Sequence, residues 1–142
     1  MVNGQRAIGS EFRRSTLWQK AQNFAAEITR LVRELPRDRA ADAIGNQLMC
    51  SGASIAANIA EGYGRFSQAA YRNHLSIARG SAFETESWLD LLQREGYISA
   101  DSASALIAQG TELQKLITSR MKTLTSGKTY AVKEEQISHE ID

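Results

Sequence analysis

Apolar residues recur along this chain at helical spacing. From Thr16 to Leu35 they fall at Leu17, Ala21, Phe24, Ile28, Leu31 and Leu35, in alternating steps of four and three, the stripe of an amphipathic helix. Pro36 ends it, because the proline ring disfavours helical backbone in the residue before it. A second helix is predicted from about Asp38 to Glu61, with Ile44, Leu48, Ile55 and Ile59 on one side, and Gly62-Tyr63-Gly64 predicts a break. Ser67 predicts the N-cap of a third helix reaching about Arg94, with Tyr71, Leu75, Ala78, Ala82, Leu89 and Leu92 as its apolar line. Gly96 predicts a left-handed stop. Asp101 predicts the cap of a fourth helix to about Leu124, whose stripe is Leu106, Gly110, Leu113, Ile117, Met121 and Leu124.

Four long helices with short connections predict an all-α fold, an up-down-up-down four-helix bundle over residues 16–125. Residues 1–15 and 126–142 are expected to be flexible tails.

The second helix carries more than one bundle core needs. Beside its apolar line lie Gly45, Met49, Ala53, Ala56, Ala57 and Ala60. The apolar-plus-small arc spans about 220°, whereas a single core uses a stripe somewhat over 100° wide. Tight packing within one bundle accounts for such an arc; so does a second contact, to another subunit. Gly45 and Gly52 each cost about 1 kcal/mol inside a helix, which favours a subunit interface made of Gly45, Met49, Gly52, Ala53, Ala56 and Ala60, with Phe83 from the third helix.

The remaining face of the second helix is a polar line: Gln47, Ser51, Ser54, Asn58 and Glu61, extending toward Arg65. As structure it is a hydrogen-bonded network that fixes helix register; as function it is a polar groove that binds something. On the third helix Ile77, Ser81, Glu84, Trp88 and Leu91 flank the core. Glu84 is expected to be partly buried and to need a partner, with Arg65 as the candidate. Arg72 and Arg79 lie seven residues apart on another face, near Phe83. Arginines beside an aromatic ring suit phosphate and base contacts; a solvated face or a subunit contact produces the same pattern.

Composition narrows the chemistry. One proline, 7% aromatic residues and a net charge of +1 argue against an all-β fold and against coating nucleic acid by bulk charge. Residues 1–80 nevertheless hold 11 basic and 6 acidic side chains, against 6 and 10 in residues 81–142. A single cysteine, Cys50, excludes an intramolecular disulfide and a cysteine-rich zinc site. A di-iron bundle needs Glu three residues before His on two helices; Tyr71 precedes His74 and Gln136 precedes His139. Cys50 with His74 is the one conceivable nucleophile–base pair, and packing is the commoner use of a lone helical cysteine. Residues 1–14 hold no apolar run, so a signal peptide and a membrane span are not expected. The expectation is a non-enzymatic cytoplasmic protein without cofactor, metal or membrane association.

One run is more specific than these patterns. Ser54-Ile55-Ala56-Ala57-Asn58-Ile59-Ala60-Glu61-Gly62-Tyr63-Gly64-Arg65, followed by Ala78-Arg79-Gly80-Ser81-Ala82-Phe83-Glu84 and preceded upstream by Leu17-Trp18-Gln19-Lys20-Ala21, resembles the four-helix-bundle proteins encoded by intervening sequences within bacterial 23S rRNA genes. The resemblance spans roughly Leu17 to Ile98. It implies a cytosolic bundle assembled as a ring-shaped homopentamer. It also implies association with RNA or DNA, which gene location suggests for the family. Arg65, Arg72 and Arg79 are the candidate nucleic-acid contacts, and Ser54, Asn58, Glu61, Ser81 and Glu84 the motif network. A similar fold serves as the accessory protein of diversity-generating retroelements, so the alternative is a protein–protein adaptor for a reverse transcriptase or a ribosome-associated factor.

Overall fold

In the computed structural model, which describes residues 11–125, a short 3-10 turn at Glu11–Arg14 leads into four α-helices: α1 (Thr16–Arg33), α2 (Arg39–Tyr63), α3 (Gln68–Arg94) and α4 (Ala100–Thr125). Their starts follow from side-chain caps that satisfy the unpaired N–H groups of the first turn. Ser15 Oγ accepts from Trp18 N at 3.3 Å, Asp38 Oδ1 from Ala41 N at 2.7 Å and Ser67 Oγ from Ala70 N at 3.0 Å. At α4 the cap is Ser99, whose Oγ accepts from Ser102 N at 3.0 Å; Asp101, expected there, sits in the first turn instead. The end of α3 follows the expectation. Gly96 has φ +79°, Gly96 N donates to Gln93 O at 3.0 Å and Tyr97 N to Leu92 O at 2.9 Å, the paired bonds of a Schellman stop.

Short connections force consecutive long helices to run antiparallel, and α1 also packs on α4, which closes the bundle. The core is the stripe read from the sequence: Leu17, Ala21, Phe24 and Ile28 from α1, Leu48, Ile55 and Ile59 from α2, Tyr71, Leu75, Ala78, Ala82, Leu89 and Leu92 from α3, and Leu106, Leu113, Ile117 and Leu124 from α4. No described helix is long and apolar enough to cross a membrane.

Three local expectations need correction. The break at Gly62-Tyr63-Gly64 falls later: Gly62 and Tyr63 are helical, and Gly64 caps α2 with right-handed backbone, φ −83°. Gly62 is there for proximity, since a Cβ would stand 2.9 Å from both His74 Cβ and Tyr71 Cδ1. The proposed N-terminal tail ends sooner than expected, because the turn at Glu11–Arg14 brings the Phe12 ring edge-on to Trp18, with centroids 5.1 Å apart. The remainder of both tails lies outside the described residues. Finally, Gly45, Gly52 and Ala56 are buried inside this chain. A Cβ on Gly45 would meet Leu35 at 3.3 Å, and one on Gly52 would meet Ile28 at 3.2 Å. Close approach of α1 is therefore their packing reason, and no second subunit is needed to explain them.

Asp38 does a second job. Its carboxylate oxygens each lie 3.1 Å from the Tyr97 hydroxyl, tying the α1–α2 and α3–α4 connections at one end of the bundle. Desolvation, and then the hydrogen bond to Asp38, raise the Tyr97 pKa above its ordinary value. A raised acid holds its proton more firmly in the fold, so the Tyr97–Asp38 link is complete below a pH of about 10 and is lost as pH rises through the raised value. Asp38→Ala should cost about 0.5–2 kcal/mol through the lost cap, measured by urea denaturation. It should also lower the Tyr97 transition in an ultraviolet pH titration, with Tyr97→Phe identifying the signal.

Candidate functional site

The polar line of α2 faces α3 and forms a continuous hydrogen-bonded seam. Thr85 Oγ1, buried, lies 2.9 Å from Ser51 Oγ and 2.7 Å from Ser81 O, and its single proton serves one of them at a time. Ser81 Oγ donates to Ser54 Oγ at 2.9 Å. Asn58 Nδ2 donates to Ser54 O and Oγ, both at 2.9 Å, which aims Asn58 Oδ1 at His74 Nδ1, 3.1 Å away. An amide oxygen only accepts, so His74 carries its proton on Nδ1. His74 Nε2 lies 3.7 Å from Glu61 Oε2, and Glu61 also pairs with Arg65 one turn on. The His74 side chain is only 12% exposed, whereas Ser54, Asn58 and Ser81 are half-buried and the Glu61–Arg65 end is exposed.

This places Ser54, Asn58, Glu61 and Ser81 together, as a network. Glu84 is not part of it. Its side chain is exposed and accepts from Trp88 Nε1 at 3.1 Å, while Arg65 pairs with Glu61. The physical reason is angular: Glu84 lies about 60° further round α3 than Ser81 at 100° per residue, which turns it toward solvent. His74 and Thr85 are the members that sequence reasoning missed. Thr85 interrupts an apolar stripe, and that was the available signal. In the sequence His74 enters only the di-iron test and the pairing with Cys50. Cys50 is exposed and precedes Asn58 by about 12 Å along α2, so the two do not form a catalytic pair. Among the described residues no three His, Cys, Asp or Glu side chains gather to hold a metal ion.

The arginines of α3 lead to a different surface. Arg79 Nε donates to Thr118 Oγ1 of α4 at 2.8 Å, and its guanidinium carbon lies 5.0 Å above the centre of the Phe83 ring. Both side chains line an open groove of about 390 Å³ with Gln114, Lys115, Thr118, Ser119 and Lys122. Three of these lining residues are cations and none is acidic. Phe83, expected at a subunit contact, is 47% exposed on this groove. Arg72 is half-buried, about 10 Å further toward the start of α3. Arg65 is separate, at the far end of α2. The sequence assigned the basic surface to the first half of the chain; Lys115 and Lys122 enter it from the acidic half, because α4 packs antiparallel on α3.

The remaining interface candidates divide by position. Met49 and Ala60 are half-buried, and Ala53 is exposed.

Residues 13–119 match the family model described as 23S rRNA-intervening sequence protein. Among curated proteins, none matches the chain. Among solved structures, the chain is similar to a protein of unknown function from the S23 ribosomal protein family of Bacteroides thetaiotaomicron. The two share 36% identity over 75% of this chain and 98% of that one, with a TM-score of 0.71. The stripe, the seam and the matched span agree: this chain is a four-helix-bundle member of the 23S rRNA-intervening sequence protein family.

Proposed function

We propose that this chain is a non-catalytic, cytoplasmic, homopentameric bundle that associates with nucleic acid. The observation that carries the reading is the α3–α4 groove, where Arg79, Lys115 and Lys122 stand together among the lining residues, against one carboxylate, Glu86, which accepts from the lining Gln114 at 3.0 Å. A net charge of +1 is no obstacle, since local charge is what neutralises phosphate. Five copies would multiply a modest site by avidity. The family's link to 23S rRNA genes makes RNA the first ligand to test.

Self-assembly has its own support. Between Ala43 and Ala57 the exposed residues of α2 carry no charge. On the neighbouring outer face of α3, Ile77 is exposed, and a Cβ on Gly80 would meet nothing within 4 Å. A glycine in mid-helix without a neighbour in its own chain costs about 1 kcal/mol relative to alanine, and a partner backbone would supply the missing reason. The same charge-poor face favours the second reading, a protein–protein adaptor.

Light scattering should give a mass near five times 15.7 kDa. Gly80→Ala should lower that mass while leaving the subunit folded. Arg79→Gln with Lys122→Gln should weaken binding to 23S rRNA fragments and flatten its salt dependence by about one to two units of log–log slope. A monomer removes the assembly reading. Absence of binding at low salt removes the nucleic-acid reading, and partner capture that survives nuclease treatment favours the adaptor.

A further inference from the structure

The groove between α3 and α4 combines positive charge with an exposed aromatic ring. Its cations come from both walls, the arginines from α3 and the lysines from α4. Thr118 sits opposite Arg79 through their 2.8 Å bond, and Lys115 and Lys122 lie about one helical turn to either side of Thr118 along α4. Because the helices are antiparallel, Lys122 falls between Arg79 and Arg72. Projected on the groove axis the order is Lys115, Arg79, Lys122 and, beyond the lining residues, Arg72, at axial intervals of about 5 Å. Together they make a narrow strip of positive charge that a sugar–phosphate backbone can follow.

The second property is the aromatic ring beside that charge. Phe83 is a large apolar side chain left 47% exposed, on a groove whose other lining residues are cationic or polar. The Arg79 guanidinium covers part of it from 5.0 Å, and the Thr118 bond holds that guanidinium in place. A cation held beside an exposed aromatic ring puts a π-face next to phosphate-binding charge, and unpaired bases stack on such faces irrespective of sequence. Bases inside a duplex keep their faces covered by their neighbours and cannot do so.

We propose that the α3–α4 groove is a site for single-stranded nucleic acid, with the backbone following Lys115, Arg79, Lys122 and Arg72 and a base stacked on the Phe83 ring. The inference rests on the nucleic-acid reading above and narrows it to unpaired strands. The charge complementarity of the lining residues favours a polyanion, and the exposed ring selects one whose bases are open.

The test is fluorescence anisotropy on the full chain with three labelled probes: a 12-nucleotide oligouridylate, a 12-base-pair RNA duplex and a 12-residue abasic deoxyribose-phosphate strand. Oligouridylate should bind about tenfold more tightly than the other two. Phe83→Ala should remove about that tenfold from oligouridylate and leave the abasic strand unchanged. Arg79→Gln with Lys122→Gln should weaken all three. Circular dichroism and light scattering on Phe83→Ala should match the parent, because the ring is half exposed. The site is overturned if Phe83→Ala binds oligouridylate as the parent does, if the duplex binds as tightly as the single strand, or if the variant's oligomeric mass falls, which would place Phe83 at a subunit contact. In those cases nucleic-acid binding itself survives. Failure of all three probes to bind at low salt sinks that broader reading as well.

Discussion

Replacing Phe24 with alanine is expected to destabilise the fold by about 3–5 kcal/mol, the largest loss from any single side chain considered. Phe24 is 1% exposed in the α1 face of the core. Its ring tip would lie 3.5 Å from a Cβ on Gly110 of α4, so α1 and α4 approach closely around it. Truncation removes the transfer energy of the ring and leaves a cavity that rigid helices can only partly close. Against a total stability of about 5–15 kcal/mol for a domain of this kind, that is a large share. The midpoint of urea denaturation should fall with little change in slope. Phe24→Leu should recover most of the loss, since it keeps much of the volume. An alanine variant as stable as the parent would mean that the α1–α4 contact does not hold the bundle together.

The second large effect comes from adding atoms. Gly62→Ala is expected to destabilise, because the new methyl would stand 2.9 Å from His74 Cβ and Tyr71 Cδ1 and 3.3 Å from Tyr71 O. These are groups close to or on the α3 backbone, and they cannot swing aside. Overpacking of this kind costs about 1–3 kcal/mol, sometimes more, and alanine's better helix propensity returns only about 1 kcal/mol. Forcing α2 from α3 would also stretch the His74–Asn58 and His74–Glu61 contacts. Gly80→Ala is the internal control: with nothing within 4 Å of its Cβ, it should raise the stability of an isolated subunit by about 0.5–1 kcal/mol. The same substitution at two glycines of adjacent helices should therefore move unfolding of the dissociated subunit in opposite directions. Equal shifts would contradict the close approach at Gly62.

The two glycines also show where sequence reading reached its limit. Gly62-Tyr63-Gly64 looked like a breaker because glycine is a poor helix former. Close packing overrode propensity, and the helix ran on to Tyr63. Gly45 and Gly52 suggested a second subunit, and the partner turned out to be α1 of the same chain. In each case the sequence signalled that a small residue was needed and left open what came near. The spacing of Ser51, Ser54, Asn58 and Glu61 announced a seam but could not supply its opposite side. His74 stands 16 residues from Asn58 and Thr85 stands 34 from Ser51, and pairing across helices depends on register.

What the sequence by itself determined are properties local to one helix: the four apolar stripes, the Ser67 cap, the left-handed stop at Gly96 and the family motif across α2 and α3. These follow from a period of 3.6 residues and from capping chemistry, which need no knowledge of a neighbour. Only the tertiary structure decided which faces meet. It turned Glu84 to solvent, gave Arg65 to Glu61, sealed His74 into the seam, and brought Lys115 and Lys122 from the acidic half of the chain to Arg79 and Phe83. The reason is that helix register and crossing are set by side-chain packing summed over whole interfaces, so a groove between two helices exists in neither of them alone.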